Sequence, residues 1–401
     1  MLVHLVAAVI ASSITLQPLR ASFPHRVHPP RLAASPPPTA EPRANNVALA
    51  PLSYSLVLPL QAVALSDAPW AHLIFFCVFG TLTVQLAATA KPIRERNVQR
   101  LSMQQAVLAP IAASALLLLL YVLIVYLEFD PSSVYRLSVS GLAVVAVRDI
   151  VMQAVAASRQ SSGKLGAASN SLPSLFTQAD GAIALVLGLI LVGDYAIRAS
   201  FSSGLLSGWQ LIEQNLIAWA LAMFSIAIVS LRTFTTAVIF LSGLFVYDVF
   251  WVFSTDVMMT VATKIDAPVK LLAFNSPASA APYAVLGLGD IAIPAFFCAL
   301  MHQFDETLSS ETPDAEATPY RRNSVIAYPV GLAVAFWANE VVKRGQPALL
   351  YLVPAVVGSA VLTAWSRGEL EKLLRFEAAV TQDRIPLDLA MLSEEQRNSL
   401  L

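Results

Sequence analysis

Apolar stretches of about 20 residues recur along most of the chain, separated by short polar segments. A helix needs about 20 apolar residues to cross the roughly 30 Å hydrocarbon layer of a bilayer. Nine stretches beyond Pro69 approach that length, which predicts an all-α, multi-pass membrane protein of about nine transmembrane helices. The predicted spans are Trp70–Ala90, Gln105–Leu127, Leu137–Ala157, Gly181–Ile197, Ile212–Leu231, Phe234–Phe253, Pro282–Gln303, Ser324–Val342 and Pro347–Trp365.

The N-terminal region does not follow this pattern. The apolar run Leu2–Leu16 is typical of a signal peptide, and Gln17–Asn46 is rich in Pro, Ser, Ala and Arg with Glu41 as its only acid. Such a segment is either a disordered leader or an organelle transit segment. Leu56–Leu65 is too short to span and is interpreted as interfacial. The predicted domains are a leader (1–68), a nine-helix membrane domain (69–366) and a cytoplasmic tail (367–401).

The distribution of Lys and Arg predicts the orientation. Thirteen of them lie in the loops after spans one, three, five and seven and in the tail near span nine, against six in the opposite loops. Short cytoplasmic loops carry the excess of basic residues. The C-terminus is therefore expected in the cytoplasm, and span one is expected to enter from the lumenal or exterior side.

Composition excludes several functional classes. The chain is 57% hydrophobic and 13% charged with a net charge of −1, so no basic excess indicates nucleic-acid binding. Cys77 and Cys298 lack metal or redox spacing, the five histidines are scattered, and no His-Glu-x-x-His occurs. No metal or cofactor is therefore expected. Ser207 has no histidine on a nearby span to activate it, which argues against a serine protease.

Ionisable residues within predicted spans need an explanation, because each costs about 2.5 to 3.5 kcal/mol on insertion scales. Asp194 and Glu340 lie near span ends, where a charge reaches the interface cheaply. Arg148 and Asp149 project about 100° apart on a helix, so each is expected to face a separate polar partner or bundle groove, in a structural role. Asp248 and Asp290 lie deeper in their spans and need a different explanation.

Topology brings Asp248 and Asp290 to similar depths. Asp248 lies about six residues from the outer end of span six, and Asp290 about eight residues into the returning span seven, roughly 9 Å and 12 Å below the same face. Two adjacent carboxylates share one proton, so the apparent pKa values at which they titrate describe the pair and not either residue alone. The arrangement suits acid/base hydrolysis as in aspartic proteases, or a proton or ion relay in a secondary transporter.

Small and helix-breaking residues surround these acids. Gly287-Leu288-Gly289 precedes Asp290 and permits another backbone to approach closely, or it serves only helix packing. Pro347-Ala348-Leu349 opens span nine, which is either an ordinary helix start or an exposed backbone with which an unwound substrate pairs as an added strand.

Three motifs in order carry a family resemblance: Tyr247-Asp248, Gly287-Leu288-Gly289-Asp290 and Pro347-Ala348-Leu349. Together, in a nine-span layout, they resemble the presenilin and signal peptide peptidase class of intramembrane aspartyl proteases. The longer stretches YDVFWVF, LGLGDIAIP and QPALLYLVP are more similar to the signal peptide peptidase branch than to presenilin. The resemblance extends over about 70–376.

The resemblance implies specific roles. Asp248 and Asp290 would be the catalytic acids, with Pro347-Ala348-Leu349 and the neighbours Tyr247, Gly287, Leu288 and Gly289 shaping the substrate site. The expected substrates are membrane-spanning peptides of type II orientation, such as remnant signal peptides, cut within the lipid bilayer without a cofactor. The expected location is the endoplasmic reticulum membrane, or a plastid or other organelle membrane if the leader directs it there. A homo-oligomer is a further possibility, and a secondary transporter is the alternative function.

Overall fold

The computed structural model describes residues 53–68, 70–89, 99–128, 132–161, 178–201, 206–264, 268–275, 282–311, 318–342 and 345–378. Its helices are α1 (Val57–Ala64), α2 (Ala71–Thr89), α3 (Met103–Val125), α4 (Ser132–Ser161), α5 (Gln178–Phe201), α6 (Gly208–Ile228), α7 (Phe234–Phe253), α8 (Val257–Lys264), α9 (Gly289–Glu311), α10 (Pro319–Val342), α11 (Leu349–Arg367) and α12 (Leu370–Arg375). Its strands are β1 (Gln99–Leu101), β2 (Val229–Leu231), β3 (Lys270–Phe274) and β4 (Tyr283–Gly287).

The described helices match the prediction of an all-α, multi-pass membrane protein. Eight of them, α2 to α7 with α10 and α11, are long and apolar enough to cross a bilayer. The remaining long helix, α9, has 23 residues but also carries Asp290, Asp305, Glu306 and Glu311. The prediction of about nine spans is therefore confirmed as an approximate number. The predicted leader up to residue 52 lies outside the described residues.

Two predicted spans include strands rather than helix. The predicted span Ile212–Leu231 ends as helix at Ile228, and β2 then pairs in parallel with β1. The predicted span Pro282–Gln303 begins with β4, so its helix starts only at Gly289. Both errors arise in apolar runs, where a buried strand and a buried helix have the same composition.

Side-chain caps set the starts of several helices. Ser207 and Gln210 form a capping box at α6: the Ser207 hydroxyl accepts the Gln210 main-chain N–H at 3.3 Å, and Gln210 Oε1 accepts the Ser207 N–H at 2.8 Å. Such reciprocal bonds satisfy N–H groups that a helix start leaves unpaired. Ser207 is thus a capping residue, which agrees with its exclusion as a nucleophile.

Helix α9 lies at the centre of the bundle. It packs against α2, α6, α10 and α11, while α7 packs against α3 and α11. The strand pair β3–β4 is antiparallel, with Lys270 opposite Gly287 and Phe274 opposite Tyr283, and β3 lies against α6. Because β4 leads directly into α9, this small sheet positions the start of the central helix.

Residues beyond α11 also pack onto the bundle. Leu373 and Phe376 are buried, the Ala378 N–H donates to the Arg232 carbonyl at 2.8 Å, and the Glu377 carboxylate pairs with Arg232. The first part of the predicted tail therefore lies against the turn between β2 and α7. Residues 379–401 lie outside the described part of the chain.

Candidate active site

Asp248 is held in place from a different helix. It lies on α7, is only 5% exposed, and its Oδ2 accepts the Leu349 main-chain N–H at 3.0 Å. That N–H belongs to the first turn of α11, where no helical carbonyl is available to it. A charge-assisted hydrogen bond of this kind gives the buried carboxylate a donor and gives the N–H at the start of the helix an acceptor.

Asp290 is the second residue of α9. The positive end of a helix dipole favours a carboxylate at this position. The Gly287 main-chain N–H lies within hydrogen-bonding reach of the same carboxylate. A Cβ added to Gly287 would lie 3.2 Å from Asp290 Oδ2, tighter than most contacts of that kind. Glycine at this position therefore leaves room for the carboxylate.

The structure brings Asp248 and Asp290 together as an acid pair, within electrostatic range of each other. Asp290 does not lie at the helical depth predicted for it. Asp290 is not eight residues into a helix, because the residues before it form β4 and the turn into α9. An extended strand rises about 3.3 Å per residue, whereas a helix rises about 1.5 Å per residue. The depth of Asp290 in the membrane therefore cannot be calculated from helical geometry.

Strand β4 has one open edge next to the acid pair. In the antiparallel register, Leu271 and Ala273 of β3 face β4, so the main-chain groups of Tyr283, Val285 and Gly287 point away from β3. Among the described residues, β4 pairs with no strand other than β3. The Val285 side chain is 51% exposed. The open edge of β4 thus ends at the residues that adjoin Asp290.

Tyr328 is a neighbour of the acid pair that the sequence analysis missed. It lies on α10, is fully buried, and its hydroxyl has no hydrogen-bond partner among the described residues. The hydroxyl lies within electrostatic range of Asp290, and only the absence of a side chain at Gly80 leaves space for it, since a Cβ there would be 2.7 Å away. A tyrosine in an apolar helix gives no signal in sequence that distinguishes it from core packing.

Comparison with known proteins identifies the family of the chain. A family model described as signal peptide peptidase matches residues 93–379, which is more than half of the chain. The chain belongs to the signal peptide peptidase family. Family membership agrees with the bundle described above, and residues 93–379 include both members of the acid pair.

Individual relatives match a smaller part. A probable intramembrane protease of Schizosaccharomyces pombe is 43% identical over 171 residues, covering 42% of this chain and 57% of the relative. The human signal peptide peptidase is 39% identical over 176 residues, covering 43% of this chain and 45% of the relative. Intramembrane protease 2 of Caenorhabditis elegans is 38% identical over 179 residues, covering 41% of this chain and 38% of the relative. The chain thus spans about half the length of the curated relatives it matches, and each of these three is named as a protease or peptidase.

The other residues of the three family motifs lie around the acid pair. Tyr247 is buried and packs on Trp251, with ring centroids 6.4 Å apart. Leu288 is 1% exposed, and Gly289 starts α9. The backbone at Ala348 is already helical, and Pro347 accepts the Leu350 N–H at 3.2 Å. This segment therefore resembles a helix start bonded to Asp248 more than a strand free to pair with a substrate.

Three other charges within predicted spans, Arg148, Asp149 and Asp194, have local partners. Arg148 Nη1 lies 3.6 Å from Asp149 Oδ1, so these two neighbours also form an ion pair with each other. The long arginine side chain bends back to its neighbour despite the angle between their Cβ directions. Asp194 accepts the Arg198 guanidinium at 2.9 Å. Among the described residues no group of three or more His, Cys, Asp or Glu side chains could hold a metal ion.

Proposed function

We propose that this chain is an intramembrane aspartyl endopeptidase that cleaves transmembrane helices, with Asp248 and Asp290 as its catalytic acids. One observation carries the proposal: two carboxylates from different helices lie within electrostatic range of each other inside an apolar bundle, and a main-chain N–H lies beside each of them. A transporter relay requires acids along a path, whereas this arrangement concentrates two acids at one point.

The chemistry follows from sharing one proton. The ionised member of the pair takes a proton from a water molecule, whose oxygen bonds to the peptide carbonyl carbon. The protonated member gives its proton to the carbonyl oxygen, which produces a neutral tetrahedral intermediate. The acid that now holds the proton gives it to the amide nitrogen while the other acid takes a proton from a hydroxyl of the intermediate, so the C–N bond breaks and an amine and a carboxylic acid are released. The pair ends with one proton, as it began.

The open edge of β4 suits an unwound substrate. A peptide bond in a helix is protected by its hydrogen bonds, and unpaired polar groups are costly in lipid. Pairing with Tyr283 and Val285 as an added strand would satisfy the main chain of the substrate while it is extended. We assign Tyr247, Gly287, Leu288, Gly289 and the segment Pro347-Ala348-Leu349 to shaping this substrate site around the acid pair.

The substrates proposed are membrane-spanning peptides of type II orientation, such as remnant signal peptides. The human relative is named a signal peptide peptidase, and the excess of Lys and Arg in alternate loops supports a cytoplasmic C-terminus. We place the chain in the endoplasmic reticulum membrane, with a plastid or other organelle membrane as the alternative. The proposed division is a leader (1–68), a protease domain (69–366) and a cytoplasmic tail (367–401), and a homo-oligomer stays a prediction.

Activity should follow a bell-shaped dependence on pH. When both acids are protonated no base remains to activate water, and when both are ionised no acid remains to protonate the carbonyl oxygen. The apparent pKa values of the acidic and alkaline limbs of this curve describe the pair of acids and not one residue. The measurement is kcat/KM for a fluorogenic transmembrane peptide in liposomes across the pH range. A rate that keeps rising through alkaline pH would contradict proton sharing.

The proposed activity is tested with the purified full chain in detergent and a synthetic signal-peptide helix. We expect two fragments by mass spectrometry, and their loss when an aspartyl-protease transition-state analogue is added. A transporter would leave the peptide whole under both conditions.

A further inference from the structure

The outer edge of β3 is closed by side chains rather than by a strand. The hydrogen bonds between β3 and β4 continue beyond both ends of the two strands. The Asn275 N–H donates to the Pro282 carbonyl at 3.0 Å, and the Leu288 N–H donates to the Val269 carbonyl at 3.4 Å. The main-chain groups of Lys270 and Leu272 therefore point away from β4, toward α6. Without partners they would form a second open edge.

The side chain of Asn215 on α6 forms hydrogen bonds with this edge as a residue of a neighbouring strand would. Its Oδ1 accepts the Leu272 N–H at 2.7 Å, and its Nδ2 donates to the Leu272 carbonyl at 2.8 Å. A side-chain amide offers the same donor and acceptor as a peptide group. Asn215 is fully buried, so its amide has no water to compete for these bonds.

Neighbouring side chains hold the amide in this orientation. Asn215 Nδ2 also donates to Gln61 Oε1 of α1 at 3.0 Å. Next to it, Gln214 Nε2 donates to the Lys270 carbonyl at 3.1 Å, and Gln214 Oε1 accepts the Tyr195 hydroxyl at 2.6 Å. A fully satisfied buried network of this kind specifies a single arrangement. The edge of β3 is thus closed at two successive outward-facing residues.

We propose that Asn215 is a positioning residue that closes the β3 edge, so that an unwound substrate joins the sheet only at β4, in one register beside Asp290. The inference rests on the proposed function and names the residue that directs its substrate. A shift of one residue in an added strand turns every side chain to the other face. Control of edge and register therefore determines which peptide bond reaches the acid pair.

The test replaces Asn215 by Leu, which has the same number and branching of side-chain heavy atoms but neither donor nor acceptor. The full-length variant is reconstituted in liposomes with a transmembrane peptide that contains a Gly-Ser break. We expect kcat to fall about 10- to 100-fold, because the peptide is held less accurately, and the products to spread from one cleaved bond to several. Mass spectrometry of the fragments reports the cleavage position, which a purely structural loss of active enzyme would not move.

Ser225→Ala is the matched control. Ser225 is a buried polar residue of the same helix, but its hydroxyl bonds to the Leu221 carbonyl at 2.7 Å within α6. This variant should cleave the wild-type bond alone. A single wild-type product from Asn215→Leu would overturn the inference, whatever the rate.

Asn215→Ala provides a second test if the Leu variant does not fold. It removes both the acceptor for the Leu272 N–H and the donor to the Leu272 carbonyl without adding bulk, so its products should also spread. An unchanged single product from Asn215→Ala would overturn the inference in the same way. If the wild-type chain gives no product at all, the proposed function fails rather than the role of Asn215.

Discussion

Replacing Asp248 or Asp290 by Asn is expected to reduce cleavage of a transmembrane peptide to less than a few per cent of the wild-type rate. Asn keeps the size of the side chain but can neither take the proton from water nor supply it to the carbonyl oxygen. General acid/base contributions are about 10²- to 10⁴-fold each. Because the acids act as one unit, the double variant should be no slower than either single variant.

The controls for this prediction separate chemistry from folding. Asp194→Asn removes another carboxylate of the membrane domain, one that bonds to Arg198 on its own helix, and should retain most of the activity. Thermal unfolding in detergent and membrane insertion should be similar for all these variants and the wild type. Retention of more than a few per cent of activity by either Asp248→Asn or Asp290→Asn would refute their assignment as catalytic acids.

A transmembrane substrate made only of Leu should resist cleavage, whereas Gly, Ser or Pro placed near the depth of the acid pair should restore it. Each helical hydrogen bond that opens in lipid leaves polar groups unpaired, at a cost of several kcal/mol. Helix-breaking residues reduce that cost before the substrate reaches β4. The difference in initial rate between the two peptides should exceed tenfold, since 1.4 kcal/mol already corresponds to a factor of ten.

This comparison requires one bilayer and one orientation. Both peptides are inserted with the N-terminus on the cytoplasmic side, and fragments are quantified at equal peptide concentration. Equal rates for the all-Leu and the broken helix would contradict the unwinding argument. Cleavage only of peptides inserted in the reverse orientation would overturn the proposed topology instead.

Much of the helical architecture could be predicted because lipid imposes a length requirement on apolar segments. The span Phe234–Phe253 was predicted with the ends that α7 has in the structure. The predicted helix over Pro282–Gln303 failed at its beginning, because the residues of β4 are apolar on both faces and lack the alternation that marks a half-buried strand. Composition alone does not distinguish such a strand from a helix.

The two acids could be selected from sequence because a charge within a membrane is expensive and needs a function. The groups that lie around the two acids could not be predicted from the sequence. The bond from Leu349 to Asp248 depends on where α11 starts relative to α7, and the contact between Tyr328 and Gly80 depends on the packing of α10 against α2. The amide of Asn215 is likewise one polar group in an apolar helix, and only the register of β3 shows what it bonds.

Binding of a labelled hydroxyl-containing transition-state analogue tests most directly whether Asp248 and Asp290 form one catalytic site. Such compounds place a hydroxyl where both carboxylates would contact the tetrahedral intermediate, and they bind far more tightly than substrates. The wild-type chain and Asp194→Asn should bind one analogue per chain, and Asp248→Asn and Asp290→Asn should each lose that tight binding. Equal affinity of the wild type and either of these two variants would contradict the account.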